Sequence, residues 1–244
     1  MHARVGTSGF AYKEWKGSFY PEDLPAAKML RFYAERFDTV EINNTFYRMP
    51  QKGALEGWAR EVRELGRPFA FVLKAPMWMT HLKRLDDDLR EPARQFFAMA
   101  VATMGSQLGP VLLHLPAYAK RDSENLARLG RFFELVPSGV RIALEPSDAS
   151  WHHEELYALL RAKNAAFAAV DDPKKQVPVV ATASWGYVRL RRTKYKKPEL
   201  ATWVETVLAQ PWSESFVFFK HEDGGTGPQL GKRFQDLLAA RRAP

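Results

Sequence analysis

Short hydrophobic runs recur along this chain, separated by longer stretches in which apolar residues return every three or four positions. Eight runs have the length and the β-branched or aromatic content of strands: Arg4–Gly9, Thr39–Asn43, Phe69–Lys74, Val111–Leu115, Arg141–Glu145, Phe167–Asp171, Tyr187–Arg191 and Phe216–Lys220. Between them the spacing predicts amphipathic helices. Ala26–Phe37 gathers Met29, Leu30, Tyr33 and Phe37 on one face, and Ala54–Leu65 does the same with Leu55, Trp58, Val62 and Leu65. Glu91–Met104, Ser123–Leu135, His153–Lys163, Glu199–Leu208 and Gln229–Ala240 follow, some with start signals such as Ser123 and Pro198. The stretch from Asp172 to Ala183 carries Pro173 and Pro178 and predicts no helix.

Strand followed by helix, repeated with that one gap, predicts an α/β fold: a single-domain (β/α)8 TIM-like barrel over residues 1–244, with parallel strands and an irregular link between the sixth and seventh. A doubly wound open sheet is the rival. It would bring a glycine-rich nucleotide loop after its first strand, but Gly6-Thr7-Ser8-Gly9 is not followed by the GxGxxG pattern.

Parity within the strands locates the chemistry. In Val40-Glu41-Ile42-Asn43 the apolar residues share one face, which should meet the helices, so Glu41 and Asn43 should point into the barrel near its C-terminal mouth. The same count turns Lys74, His114, Glu145, Arg189 and Arg191 inward, whereas Asp171 and Lys220 lie in strands apolar on both faces. Phe10, Tyr12, Trp15, Phe46, Tyr47, Trp78, Trp151 and Trp185 flank the strand ends, where rings beside charge suit a planar ligand such as a base or sugar.

The composition adds limits. Of 244 residues 46% are apolar and none is cysteine, so a large core is available and thiolate chemistry and disulfides are excluded. No apolar run is long enough for a membrane span. Met1-His2-Ala3-Arg4 leads straight into a strand, which argues against secretion and for a cytoplasmic protein. The formal charge of +8 favours anionic partners, and the basic run Arg189–Lys197 (RLRRTKYKK) is the place where a nucleic-acid backbone would be tracked.

Val40-Glu41-Ile42-Asn43-Asn44-Thr45-Phe46-Tyr47-Arg48-Met49-Pro50 closely resembles the hallmark segment of the YecE-like family, domain of unknown function family 72. Gly6-Thr7-Ser8-Gly9-Phe10 with Tyr12, Trp15, Gly17 and Phe19-Tyr20-Pro21 resembles its N-terminal motif. Lys74 with Thr80-His81, Leu108-Gly109-Pro110 with Leu115-Pro116, Glu145 with Ser150-Trp151, and Phe219-Lys220-His221-Glu222-Asp223 extend the likeness over nearly the whole chain. The resemblance implies a TIM-barrel-like fold and no established activity. The chain departs from the family pattern in three places. His114 stands where Gln is frequent, Pro146-Ser147-Asp148 where an Arg is frequent, and Arg191-Arg192 where a His-Gly pair is common.

The functional expectation is a hydrolase or lyase acting on a small or oligomeric anionic substrate with phosphate or sugar character. Glu41 and Glu145 would be acid and base, and Lys74 a catalytic cation. Asn43, Tyr47, Arg48, His114, Asp171, Arg189, Tyr12, Trp15 and Trp151 would bind and orient the substrate. The alternative is a non-catalytic binder of nucleic acid or another polyanion. No GxSxG nucleophile elbow occurs. Glu41, His114, Glu145 and Asp171 are chemically able to hold a metal, yet no spacing motif supports one, so no metal is assigned and the cofactor stays open. Lys74 as an imine-forming amine requires a depressed pKa, which nearby cations would promote and carboxylates oppose.

Overall fold

The computed structural model describes residues 1–47, 51–82, 85–220 and 223–242. Among them ten strands form two five-stranded sheets. One sheet holds β2 (Thr39–Ile42), β3 (Ala70–Lys74), β4 (Leu108–Leu115), β5 (Ile142–Pro146) and β6 (Ala166–Phe167), in that order and all parallel. The other runs β1 (His2–Thr7), β10 (Glu214–Phe219), β9 (Trp185–Leu190), β7 (Ala169–Asp172), β8 (Lys175–Val177), with β8 antiparallel to β7. The helices are α1 (Met29–Ala34), α2 (Asn44–Tyr47), α3 (Lys52–Arg63), α4 (Arg90–Met104), α5 (Ser123–Phe133), α6 (Glu154–Ala162), α7 (Lys197–Leu208) and α8 (Thr226–Arg242). No helix among the described residues is long and apolar enough to cross a membrane.

The expected ring of eight parallel strands is therefore replaced by two sheets, one of them mixed. Side chains account for one seam. On β1, Val5 N donates to Asp38 Oδ1 at 3.0 Å and Thr7 N to Tyr33 Oη at 2.8 Å, and Tyr33 Oη in turn donates to Thr39 O at 3.0 Å. A carboxylate and a phenol thus take the positions that β2 backbone groups would hold in a ladder, leaving a single bridge between Ser8 and Glu41. At the other seam the predicted sixth strand divides. Ala166–Phe167 pairs with β5 and Ala169–Asp172 with β9, while Ala168 N still reaches Leu144 O at 2.9 Å. The prolines after Asp172 exclude a helix as anticipated, and the chain makes the short β7–β8 hairpin instead.

Alternation within the strands sorts the core in two. Val5, Val40, Ile42, Leu73, Leu113, Leu144, Val188, Leu190, Val217 and Phe219 belong to a large cluster shared with the helices, to which α3 contributes Leu55, Ala59 and Val62 at helical spacing. The alternate positions build a separate cluster: Ala70, Val72, Leu112, Ala143, Ala166, Ala168, Trp185, Tyr187, Phe216 and Phe218. Lys74, His114, Glu145 and Arg189 each stand two residues beyond a member of this second cluster, so the strand period carries them onto its face. At the N-terminal ends of the strands Glu214 accepts from both Arg4 and Arg141, and Arg141 also lies 4.9 Å from the Phe216 ring centroid.

Candidate functional site

Arg189 organises the C-terminal ends of the strands. From β9 its Nη1 donates to Glu145 Oε2 of β5 at 2.5 Å and its Nη2 to Glu41 Oε1 of β2 at 2.7 Å. Glu41 is fully buried and takes two further bonds, from Tyr187 Oη at 2.6 Å and Ser8 Oγ at 2.9 Å. Burial pushes the carboxyl pKa values up most strongly, but the Arg189 charge together with the hydrogen bonds and the other positive neighbours outweighs it. Glu145 is held at about 2, and Glu41 also falls below the usual carboxylate range, helped by the Tyr187 hydroxyl. Burial and then the Glu41 charge push Tyr187 well above the ordinary phenol value, so it remains a donor. Both carboxylates are fixed anions.

Lys74 differs. Its Nζ lies 4.0 Å from the centroid of the Phe46 ring and makes no ion pair or hydrogen bond among the described residues. The nearest carboxylates already serve Arg189. Burial, then the charge of Arg189, lower its pKa to about 8 against the opposing pull of Glu41 and Glu145. The α2 turn holds Phe46 in place because Thr45 Oγ1 sits within hydrogen-bond reach of Lys74 O (2.5 Å) and Ile42 O (3.0 Å).

Beside Lys74, His114 Nε2 contacts Ser147 Oγ at 2.9 Å, and its Nδ1 is buried without a partner among the described residues. Burial lowers His114 to about 4 despite the attraction of Glu145, so the imidazole is neutral near pH 7. A π turn after β3, Trp78–Leu82, delivers His81. Its ring stands 5.0 Å from Phe46, 5.5 Å from His114 and 6.4 Å from Tyr118, whose hydroxyl donates to His81 O. Tyr47 at 77% and Tyr118 at 55% exposure are the open ends of this aromatic row. Lys175 of the β8 hairpin donates to Pro146 O and Ser147 O, 2.7 Å each, and fixes the loop that carries Ser147. Asn43 and Tyr12 line a separate cavity of about 190 Å³ with Phe10 and Trp58.

The structure thus brings Glu41, Lys74, His114, Glu145 and Arg189 together, with Asn43, Tyr12 and Tyr47 nearby. Three expected ligand contacts are corrected. Asp171 is buried on the helix side, where its Oδ2 accepts from Trp203 Nε1 of α7 at 3.1 Å and Arg192 Nε at 3.0 Å. Trp15 packs beneath its loop against Tyr12, Phe19 and Tyr20, and Trp151 is buried with Nε1 donating to Ala119 O at 2.6 Å. Neither indole offers a free face. Arg48 lies outside the described residues. Sequence reasoning missed Tyr187 and Ser8 as partners of Glu41. The signal for Tyr187 was its parity with Arg189, two positions on. No group of three or more potential metal ligands occurs among the described residues.

Residues 4–244 match the family model described as "Protein of unknown function DUF72". The chain belongs to that family. It is 25% identical to the UPF0759 protein YunF of Bacillus subtilis (strain 168) over 96% of this chain and 94% of the relative. A DUF72 family protein from Thermotoga maritima superposes with a TM-score of 0.84 and 27% identity, covering 98% of this chain and all of the other. A D-psicose 3-epimerase from Clostridium cellulolyticum, with a TM-score of 0.59 and 11% identity over 99% and 98% of the two chains, shares the TIM-barrel-like fold. The N-terminal motif, the Glu41–Tyr47 segment and the Lys74-Thr80-His81 set, which carried the resemblance, supply much of the site.

Proposed function

We propose that the two sheets are the wall of one (β/α)8-type barrel domain and that the chain is an enzyme, a lyase or hydrolase, acting on a small anionic substrate above Lys74. The observation that carries this reading is the Lys74 ammonium lying over Phe46 with both neighbouring carboxylates taken by Arg189. A half-buried cation without a counterion attracts a phosphate or carboxylate, and the row from Tyr47 to Tyr118 offers ring faces to the rest of the ligand.

The roles differ from those read in the sequence. Glu145, held near 2 by Arg189, is a poor proton carrier at neutral pH, and the same clamp restrains Glu41. These two carboxylates and Arg189 act as a fixed electrostatic bed. Lys74, titrating near 8, becomes the group that moves a proton, with neutral His114, itself bonded to Ser147, as its polar neighbour. Tyr12, bonded to Ser8 O beside Glu41, and Asn43 would orient the ligand.

Polyanion binding draws less support. In the basic run Arg189 serves the two glutamates, Arg191 pairs with Asp172 at 3.4 Å, and Arg192 pairs with Asp171 and Glu199. The test is a ligand-observed NMR screen of phosphorylated and carboxylated sugars against the wild type and Lys74→Met. A hit should lose at least tenfold in affinity in the variant. Equal binding and turnover by wild type, Lys74→Met and Phe46→Ala would overturn the reading.

A further inference from the structure

We propose that Lys74 is a covalent nucleophile: its amine condenses with the carbonyl carbon of a small aldehyde or ketone that carries a phosphate or carboxylate, forming an imine. The inference rests on the reading above and narrows it to carbonyl substrates and to the lyase branch. Its basis is geometric. Lysines near carboxylates usually form ion pairs that hold the proton on nitrogen. Here Arg189 occupies Glu145 with one nitrogen and Glu41 with the other, and Tyr187 and Ser8 engage the remaining reach of Glu41. Lys74 Nζ is left on the apolar face of Phe46, beside a second cation, with no acceptor to localise it among the described residues. Burial, the neighbouring cation and the missing acceptor favour the neutral amine over the attraction of the ring face for the ammonium, and the amine is the reactive form.

The step balances without a redox partner. The Nζ lone pair forms the C–N bond, the carbonyl oxygen takes up the two protons that the nitrogen gives up, and one water leaves for each imine made. His114, whose Nε2 lies 2.9 Å from Ser147 Oγ, relays these protons to the departing oxygen. Once protonated, the imine withdraws electrons from the neighbouring carbon. A C–H or C–C bond there can then break with its electron pair entering an enamine, the proton passing to neutral His114 or the carbon fragment leaving as a carbonyl compound; reprotonation of the enamine carbon and addition of water return the free lysine.

The experiment is borohydride trapping. The full-length wild type is incubated at pH 8 with glyoxylate and, separately, with dihydroxyacetone phosphate. Sodium borohydride then converts any imine to a stable secondary amine, and peptide mass spectrometry quantifies every lysine. Lys74 should be modified at least tenfold more than the exposed Lys28 and Lys197 with one or both probes, and excess inorganic phosphate should suppress that labelling. Lys74→Arg keeps the positive charge and should retain phosphate binding by NMR. Labelling at Lys74 no greater than at the exposed lysines overturns the imine. If phosphate still binds both proteins, the anion-site reading survives that result. If phosphate binds neither, both readings fall.

Discussion

Arg189 Nη1 lies 2.5 Å from Glu145 Oε2, an ion pair between β9 and β5 in which neither side chain is more than about a tenth exposed. Burying both charges makes each dependent on the other. Because Glu41 shares the same guanidinium, Arg189→Met would strand two anions. Removal of one partner from such a pair costs about 3–5 kcal/mol. Chemical denaturation should therefore show a large fall in midpoint for Arg189→Met. Removing one of the two stranded anions with Glu41→Gln in the same chain should recover part of it. A midpoint equal to that of the wild type would show that the pair contributes nothing.

The same contact sets an acid limit. Glu145 has a folded-state pKa of about 2, below its usual 4.5. A depressed carboxylate contributes stability that is fully present above the unfolded value and is lost as pH falls toward the folded one. The Glu145 contribution should be level above pH 5 and decline between about 4.5 and 2. Glu145→Gln should flatten that limb, as read from unfolding curves collected across the range. An unchanged acid limb in the variant would assign the loss to other carboxylates.

Strand parity made the centre of the site legible before any coordinates. Val40 and Ile42 alternate with Glu41, so the period of two assigns the glutamate to the inner face, and the argument also recovers Lys74, His114, Glu145 and Arg189. It fails at Asp171 because Ala168, Ala169 and Val170 leave no contrast between faces, and the preference is decided by Trp203 and Arg192, remote in sequence. Periodicity is equally silent on Trp15 and Trp151. Both are in loops, where an indole can cap a site or fill the space under a turn, and the packing around each decides. Ring closure was beyond reach for the same reason, since Tyr33 and Asp38 replace ladder bonds with side-chain bonds that no strand pattern records.

Lys74 should titrate near 8 instead of at the usual 10.5. Below that value it is protonated and above it neutral, so any rate that requires the free amine should climb through pH 8. Selective isotope labelling of lysine side chains with NMR detection reads the midpoint directly. Phe46→Ala, which admits water to the ammonium, should move it upward. A wild-type midpoint above 10 would remove Lys74 from proton transfer at neutral pH.

Tyr33→Phe deletes the hydroxyl that accepts from Thr7 N and donates to Thr39 O. Both backbone groups are buried, and phenylalanine leaves them unpaired while preserving the ring packing against Phe37 and Phe10. The expected loss is about 1–3 kcal/mol. Hydrogen exchange should localise it, with the Thr7 amide exchanging far faster than in the wild type. A variant with unaltered exchange at Thr7 would mean that water or a backbone shift replaces the phenol.

Gly6 is constrained by proximity. A Cβ at this position would stand 2.1 Å from Thr39 O and 2.9 Å from Thr39 C, so it meets backbone and not a yielding side chain. Gly6→Ala must push β1 away from β2 at the seam where Ser8 and Glu41 form their bridge. Overpacking of this kind costs about 1–3 kcal/mol or more. The displacement should also lengthen the Ser8 Oγ–Glu41 contact of 2.9 Å and loosen the bed under Lys74. The expected result is a lowered melting temperature together with a shifted Lys74 titration. A destabilised Gly6→Ala whose Lys74 titrates as in the wild type would show that the seam and the site are mechanically independent.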